Sequence, residues 1–319
     1  MATSTKKTVY IIINPKSGTS GKQSLPRKIV EKLDARKFTV HIFITGYAGH
    51  GSEIAREAVA HNVDYVIAIG GDGTVNEVGK ELVHSNTALG IVPLGSGNGL
   101  GRDLGIPLNA SKALDIIAEE YVESIDYGKA NGDIFFCTCG MGFDAEVASK
   151  VAGKKQRGTL MYFTNMLEAF FNQKPQSYKI ECPEGTIEEK AFVVTCANAS
   201  QYGYNAHIAP HADIQDGKMN IAILQPLSLL DVPKTSMQLF ASKIDKNSKM
   251  LELTTNKVTI TRESEGVMHL DGDAKKLVGK VLDVEIVPRG LKVLLPKNPP
   301  KKNPLSPQEI LLSVLRAIS

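Results

Sequence analysis

The stretch Val66–Val78, Val-Ile-Ala-Ile-Gly-Gly-Asp-Gly-Thr-Val-Asn-Glu-Val, gathers three glycines around one carboxylate. Four apolar residues lead into it, and Thr74 opens a run with helical spacing through Val75, Val78 and Leu82. The pattern predicts a buried strand, a tight turn and a helix. Such a junction aims backbone N–H groups and the positive end of a helix dipole at one point, where a phosphate can sit without side-chain cations. Glycines lack Cβ and let a polyphosphate approach the backbone closely. Asp72 is the odd member, because a carboxylate beside a phosphate site repels the ligand unless a cation lies between them. It predicts a divalent metal, Mg²⁺ in the first place. A glycine turn alone is equally an ordinary structural device. This one lacks the Lys-Ser/Thr ending of a P-loop and the spacing of a dinucleotide fingerprint.

A second glycine-rich turn, Leu94-Gly95-Ser96-Gly97-Asn98-Gly99-Leu100-Gly101-Arg102, follows the apolar run Ala88–Pro93 and leads into a short helix. Ser96 and Asn98 offer neutral hydrogen-bonding groups, and Arg102 is either a charge clamp or a helix-face arginine in solvent. Two such turns at neighbouring strand ends are harder to dismiss than one. Upstream, a strand Val9–Ile13 ends in Asn14-Pro15-Lys16-Ser17-Gly18-Thr19-Ser20-Gly21-Lys22, and a strand Val40–Ile44 ends at Thr45–Gly51. Ser52 is placed to cap the helix that carries Ile54, Ala55, Ala58 and Val59. This alternation of strand and helix predicts an α/β fold with a doubly wound parallel sheet, whose loops at the C-terminal strand ends take ligands. His50, in a turn with no visible partner, reads as structural.

The frame around these turns is ordinary. The 319 residues are 42% hydrophobic and 22% charged, which suits a globular chain long enough for two domains. A net charge of +3 gives no case for nucleic acid. Cys137, Cys139, Cys182 and Cys196 form no metal-like spacing and read as reduced, buried thiols. No apolar run approaches the ~20 residues of a membrane span, so a cytoplasmic protein is expected.

The order Asn-Pro-x-Ser-Gly, Gly-Gly-Asp-Gly-Thr-x-Asn-Glu, then Gly-Ser-Gly-Asn with a following Leu-Gly-Ile-Pro, resembles the catalytic domain of the diacylglycerol kinase family. That family includes bacterial soluble diacylglycerol kinases, related lipid kinases, and the sphingosine and ceramide kinases. NAD kinases and 6-phosphofructokinases are similar only over Gly-Gly-Asp-Gly. The resemblance implies ATP binding at Asn14, Pro15, Lys16, Ser17 and Gly18, at Thr45, at Gly71, Asp72, Gly73, Thr74, Val75, Asn76 and Glu77, and at Ser96. Gly99 stands where many bacterial members carry an aspartate, which brings that strip nearer to the sphingosine and ceramide kinases.

Beyond Gly128 the regular helices stop, and strand-like runs such as Ile134–Cys139, Ala191–Ala197, Leu251–Thr261 and Val281–Val287 predict a β-sandwich over residues 129–296. Arg157–Phe171 reads as a helix, apolar nearly all round and buried; lining a groove, it would hold acyl chains. The resemblance implies that Asp126 joins a metal and water network with Asp72, both in catalysis. It also implies that Asp216, with the backbone carbonyls of Asp213 and Lys218, holds a structural Mg²⁺. At His269-Leu270-Asp271-Gly272-Asp273 the family more commonly shows Asp-Gly-Glu, the glutamate taking the proton from the lipid hydroxyl. Here Asp273 is that base, one methylene shorter, with Asp271 in reserve. After a Lys- and Pro-rich linker, Ser306, Pro307 and Glu309 start a helix over residues 305–319 that docks on the first domain or lies in a membrane interface.

Taken together, the resemblance implies an ATP- and Mg²⁺-dependent kinase acting on a lipid hydroxyl, diacylglycerol first and a sphingoid base next. It implies peripheral contact with a membrane and leaves a homodimer open. A soluble-acceptor kinase of the NAD kinase kind and a non-catalytic nucleotide sensor are the other readings.

Overall fold

The structure is a computed structural model that describes residues 6–18, 24–142, 175–228 and 230–299. The chain forms two compact units, one holding the residues up to Asp126 and taking the chain back from Arg289, the other holding Tyr127–Pro288.

The first unit runs β1 (Lys7–Ile13), α1 (Leu25–Lys32), β2 (Phe38–Ile44), α2 (His50–Ala60), β3 (Tyr65–Gly70), α3 (Asp72–Leu82), β4 (Ala88–Pro93), α4 (Gly99–Asp103) and α5 (Ala110–Ala118). Its strands are parallel in the order β2-β1-β3-β4. β3 and β4 are buried along their whole length, as their unbroken apolar sequences require of central parallel strands. β2 takes the edge, and Ile42 and Ile44 remain exposed there. The chain moves outward from β1 to β2 and then returns past β1 to β3. That reversal opens a crevice between the C-terminal ends of β1 and β3, the place where open α/β sheets bind ligands.

Two helix starts differ from expectation. α2 begins at His50 behind Gly49, whose φ of 91° turns the chain, so Ser52 lies inside the helix and does not cap it. α3 begins at Asp72, two residues before Thr74, with Gly71 as its N-cap. α5 is capped conventionally, the Asn109 side chain accepting from the N–H groups of Ser111 and Lys112.

The second unit is antiparallel. β5 (Val122–Ala130) leads into it, followed by β6 (Asp133–Phe135), β7 (Thr138–Gly142), β8 (Gln176–Cys182), β9 (Gly185–Ala191), β10 (Val193–Ala197), β11 (Met219–Leu224), α6 (Val232–Phe240), β12 (Met250–Thr255), β13 (Lys257–Arg262), β14 (Gly266–Leu270), β15 (Asp273–Leu277) and β16 (Val281–Leu294). One sheet has the order β12-β11-β10-β7-β14-β15. Opposite it, β13 pairs with β8 and with the first half of β16. Side chains alternate along these strands, and their inward faces, Tyr178, Ile180, Val258, Ile260, Leu282 and Val284, meet Met141, Val194 and Ile221 in one core.

Three of the strand-like runs prove to be two elements each. Ile134–Cys139 is divided between β6 and β7, Ala191–Ala197 between β9 and β10, and Leu251–Thr261 breaks at Asn256. Residues 289–294, expected in the second domain, belong to the first unit, because β16 extends far enough for Val293 to pair with Leu89 of β4. Cys137, Cys139 and Cys196 are buried and unbridged, and Cys182 is half-buried. The predicted helices at residues 157–171 and 305–319 lie outside the described residues.

Candidate active site

Three turns meet at the C-terminal ends of β1, β3 and β4. The first follows β1. Asn14 donates its backbone N–H to the Ile69 carbonyl at 3.0 Å, and its side-chain oxygen accepts from the Lys16 N–H at 2.9 Å, which curls the Asn-Pro-Lys-Ser segment back on itself. Its Nδ2 donates to Thr74 Oγ1 at 3.0 Å, so the β1 turn is tied to α3 across the switch point. Gly18 has φ +68°, and a Cβ there would lie 2.4 Å from the Leu94 carbonyl oxygen, which brings the first turn against the third.

The two glycine turns are packed backbone to backbone. A Cβ on Gly95 would stand 2.5 Å from the Gly71 Cα, a distance that no side chain tolerates. Asp72 joins the same two turns by hydrogen bonds: its carboxylate accepts from the Asn98 N–H at 2.8 Å and the Gly99 N–H at 2.6 Å. Those donors are the N-cap and first residue of α4, which has no side-chain cap of its own. Asp72 therefore caps α4 from a distance of 26 residues, and its charge faces the positive end of that helix. This changes the reasoning on Asp72, since amides already offset part of its charge without a metal.

The remaining predicted residues divide by exposure. Pro15, Lys16, Gly18, Gly73 and Ser96 are exposed, Ser17, Thr45, Gly71, Asp72, Asn76 and Glu77 half-exposed, and Thr74 and Val75 buried. Thr74 thus supports the cradle through Asn14. Asn98 is buried in a left-handed conformation with φ 52°, and its Nδ2 donates to the Gly95 carbonyl at 2.6 Å. Arg102 is half-exposed, and its Nε donates to the Gly97 carbonyl at 2.8 Å and secures the turn. Glu77 reaches the start of α2, accepting from the Gly51 N–H at 3.0 Å. His50, read as having no partner, accepts from the Gly46 N–H at 3.1 Å through Nδ1 and stacks on Tyr47.

Asp126 is wholly buried and accepts from the Arg289 N–H at 2.7 Å, holding the returning chain of its own unit. In the second unit, Asp271 and Gly272, with φ of 49° and 87°, form the two-residue turn between β14 and β15. The Asp271 carboxylate accepts from the N–H groups of Phe136, Cys137 and Thr138 at 2.7–3.1 Å. Asp273, first residue of β15, is exposed. In the loop before β11, Asp213 Oδ1 accepts from the Gln215 N–H and Asp216 Oδ1 from the Lys218 N–H. Among the described residues no three His, Cys, Asp or Glu converge as a metal cluster.

Sequence reasoning named both glycine turns and Asn98 but missed the contacts that join them: Asp72 to the Asn98 and Gly99 amides, and Gly95 against Gly71. The glycines of both turns carried the signal; what spacing could not show was that Gly71 and Gly95 touch.

Comparison with known proteins fits this geometry. Residues 8–130 match the diacylglycerol kinase catalytic domain, and residues 137–295 match the YegS C-terminal NAD kinase beta sandwich-like domain. A Yersinia pseudotuberculosis protein named "Probable lipid kinase YegS-like" is 30% identical over 86% of this chain and 93% of its own. A diacylglycerol kinase of Bacillus anthracis has the same fold, with TM-score 0.70, 23% identity, and coverage of 92% of this chain and 97% of that one. An NAD kinase from Archaeoglobus fulgidus, solved with ATP, matches at TM-score 0.52 and 12% identity over 98% of this chain and all of that one. The chain belongs to the diacylglycerol kinase family of lipid kinases, with its YegS-type β-sandwich domain following the catalytic one.

Proposed function

We propose that this protein is an ATP-dependent lipid kinase that transfers the γ-phosphate to a lipid hydroxyl, with diacylglycerol as acceptor and phosphatidic acid as product. The observation that carries the reading is the meeting of three amide-rich turns at the β1/β3 switch point, fixed by Asn14 on Thr74 and by Asp72 on Asn98 and Gly99. Phosphoryl transfer asks the protein chiefly for positioning and charge stabilisation, which rigid backbone donors supply without reorganising.

The triphosphate is held by the backbone of Asn14–Gly18, Gly71–Thr74 and the Gly95–Gly97 turn, with exposed Lys16 and Ser96 beside it. Asp273, exposed on the second unit, is the base that takes the proton of the acceptor hydroxyl. Asp271 does not compete for that task, because three backbone amides occupy its carboxylate.

Mg²⁺ fits two places. The half-exposed Asp72 carboxylate, beside the triphosphate turns, is placed to face a cation that keeps most of its water. Asp126, buried and accepting from the Arg289 N–H, is the carboxylate that would join Asp72 in a metal and water network. The loop carrying Asp216, with the carbonyls of Asp213 and Lys218, is an oxygen-only donor set suited to a structural Mg²⁺. When bound, the cation neutralises the β and γ phosphates. No helix among the described residues is long and apolar enough to cross a membrane, and the reading places the protein at the membrane surface from the cytoplasmic side.

The test is a radiolabelled-ATP assay offering diacylglycerol micelles, sphingosine and NAD side by side. Label in phosphatidic acid supports the reading, label only in sphingosine changes the acceptor, and label only in NAD ends the lipid assignment.

A further inference from the structure

We propose that Glu77 is a positioning residue for the nucleotide, acting through the first turn of α2 and the Thr45–Gly49 loop built on it; this rests on the ATP reading above. α2 starts without a side-chain cap of its own. Its cap comes from α3, where Glu77 grips two successive residues. Its Oε1 accepts from the Gly51 N–H at 3.0 Å, and its backbone carbonyl accepts from Ser52 Oγ at 2.9 Å. The carboxylate lies flat over Gly51: a Cβ there would sit 3.3 to 3.5 Å from Cδ, Oε1 and Oε2. A negative group at this helix end is favourably placed against the dipole.

The loop in question has little support besides α2. Thr45 donates its N–H to the Ile13 carbonyl at 3.0 Å and fixes one end. The rest leans on the helix start: Gly46 donates to His50 Nδ1, the Tyr47 ring stacks on His50 at 4.7 Å, and the Tyr47 hydroxyl donates to Glu53 at 2.6 Å. Shifting the first turn of α2 therefore shifts Thr45–Gly49. Asp72 and Glu77 stand about 140° apart around α3 at ~100° per residue. One carboxylate caps α4 and the other caps α2, so a single helix sets the turns on both sides of it.

Direct ATP binding to the full chain, measured by calorimetry with Mg²⁺ present, tests this on four variants, with thermal melts alongside. Glu77→Ala should weaken binding on the order of tenfold, the scale of one lost charge-assisted hydrogen bond. Glu77→Gln keeps a carbonyl oxygen for the Gly51 N–H and should recover most of that loss. Gly51→Ala sets a methyl 3.3 to 3.5 Å from the carboxylate, which must yield by a few tenths of an ångström, and should weaken binding by about two- to threefold through the same bond, with the double variant no weaker than Glu77→Ala. If Glu77 instead met the cation directly, Glu77→Gln would be as weak as Glu77→Ala and Gly51→Ala would be neutral, which overturns the proposal. A lowered melting temperature with unchanged affinity in Glu77→Ala also overturns it, while leaving the ATP reading intact. Absence of ATP binding by the unaltered protein removes both. Should Glu77→Ala fail to fold, the contrast between Glu77→Gln and Gly51→Ala decides alone.

Discussion

The turn Gly70–Thr74 and the turn Leu270–Asp273 are written in the same letters, glycine and aspartate, and they use them differently. In the first, the lone carboxylate of Asp72 is fastened to the amides of a neighbouring turn. In the second, Asp271 is fastened to three amides of Phe136–Thr138 and Asp273 is exposed. An aspartate whose oxygens are already receiving backbone N–H groups is a structural member first. The proposed base, Asp273, is instead exposed at the first position of its strand. The roles follow from what each carboxylate has been given to do, and the spacing of the letters does not distinguish them.

Removing the proposed base should have the largest effect. Asp273→Asn should lower turnover on the order of 1000-fold, about 4 kcal/mol of transition-state stabilisation, while ATP binding and melting temperature stay unchanged. Steady-state kinetics with calorimetric binding checks this, and retained turnover would dissolve the contrast between the two aspartates. Asp271→Ala should show the opposite profile. It strands three amide donors and should cost about 3 kcal/mol of stability, read from the urea midpoint, whereas the protein that remains folded keeps its ATP affinity.

Asp72→Asn comes next. The amide offers one acceptor where two N–H groups converge and turns an N–H donor toward the other. A loss of about 2 kcal/mol, or roughly 30-fold in ATP affinity, is expected from the disturbed start of α4. Binding measured at several Mg²⁺ concentrations sharpens the point: a loss that excess Mg²⁺ does not relieve belongs to the turn, and one that it relieves belongs to the cation.

The strand-turn-helix units of the first domain were legible because each is local. Continuous apolar runs gave β3 and β4, and the glycines gave the turns. Helix starts were less so. Ser52 has the chemistry of a cap, but Gly49 with its positive φ lets α2 begin earlier, and the hydroxyl turns to Glu77 instead. The breaks at Phe192 and Asn256 were hidden inside strand-like runs, because the pairing partners that interrupt them lie far along the chain: Phe192 donates to the Leu224 carbonyl, and Asn256 accepts from Ile286. The most consequential omissions were the caps that α3 supplies to α2 and α4. Each joins residues about 26 positions apart, a separation at which sequence spacing carries no geometry.

Ser96 tests how far the division of labour extends within one turn. Its neighbours hold the shape: Gly95 lies against Gly71, Asn98 donates to the Gly95 carbonyl, and Arg102 donates to the Gly97 carbonyl. Ser96 itself is exposed at the crest. Ser96→Ala should therefore leave the melting temperature alone and remove at most one hydrogen bond to the nucleotide. KM for ATP should rise three- to tenfold, about 1 kcal/mol, with kcat within roughly a factor of two. A fall in kcat without a change in KM would instead place this hydroxyl at the transferring phosphoryl group, because only an interaction made in the transition state alters turnover alone.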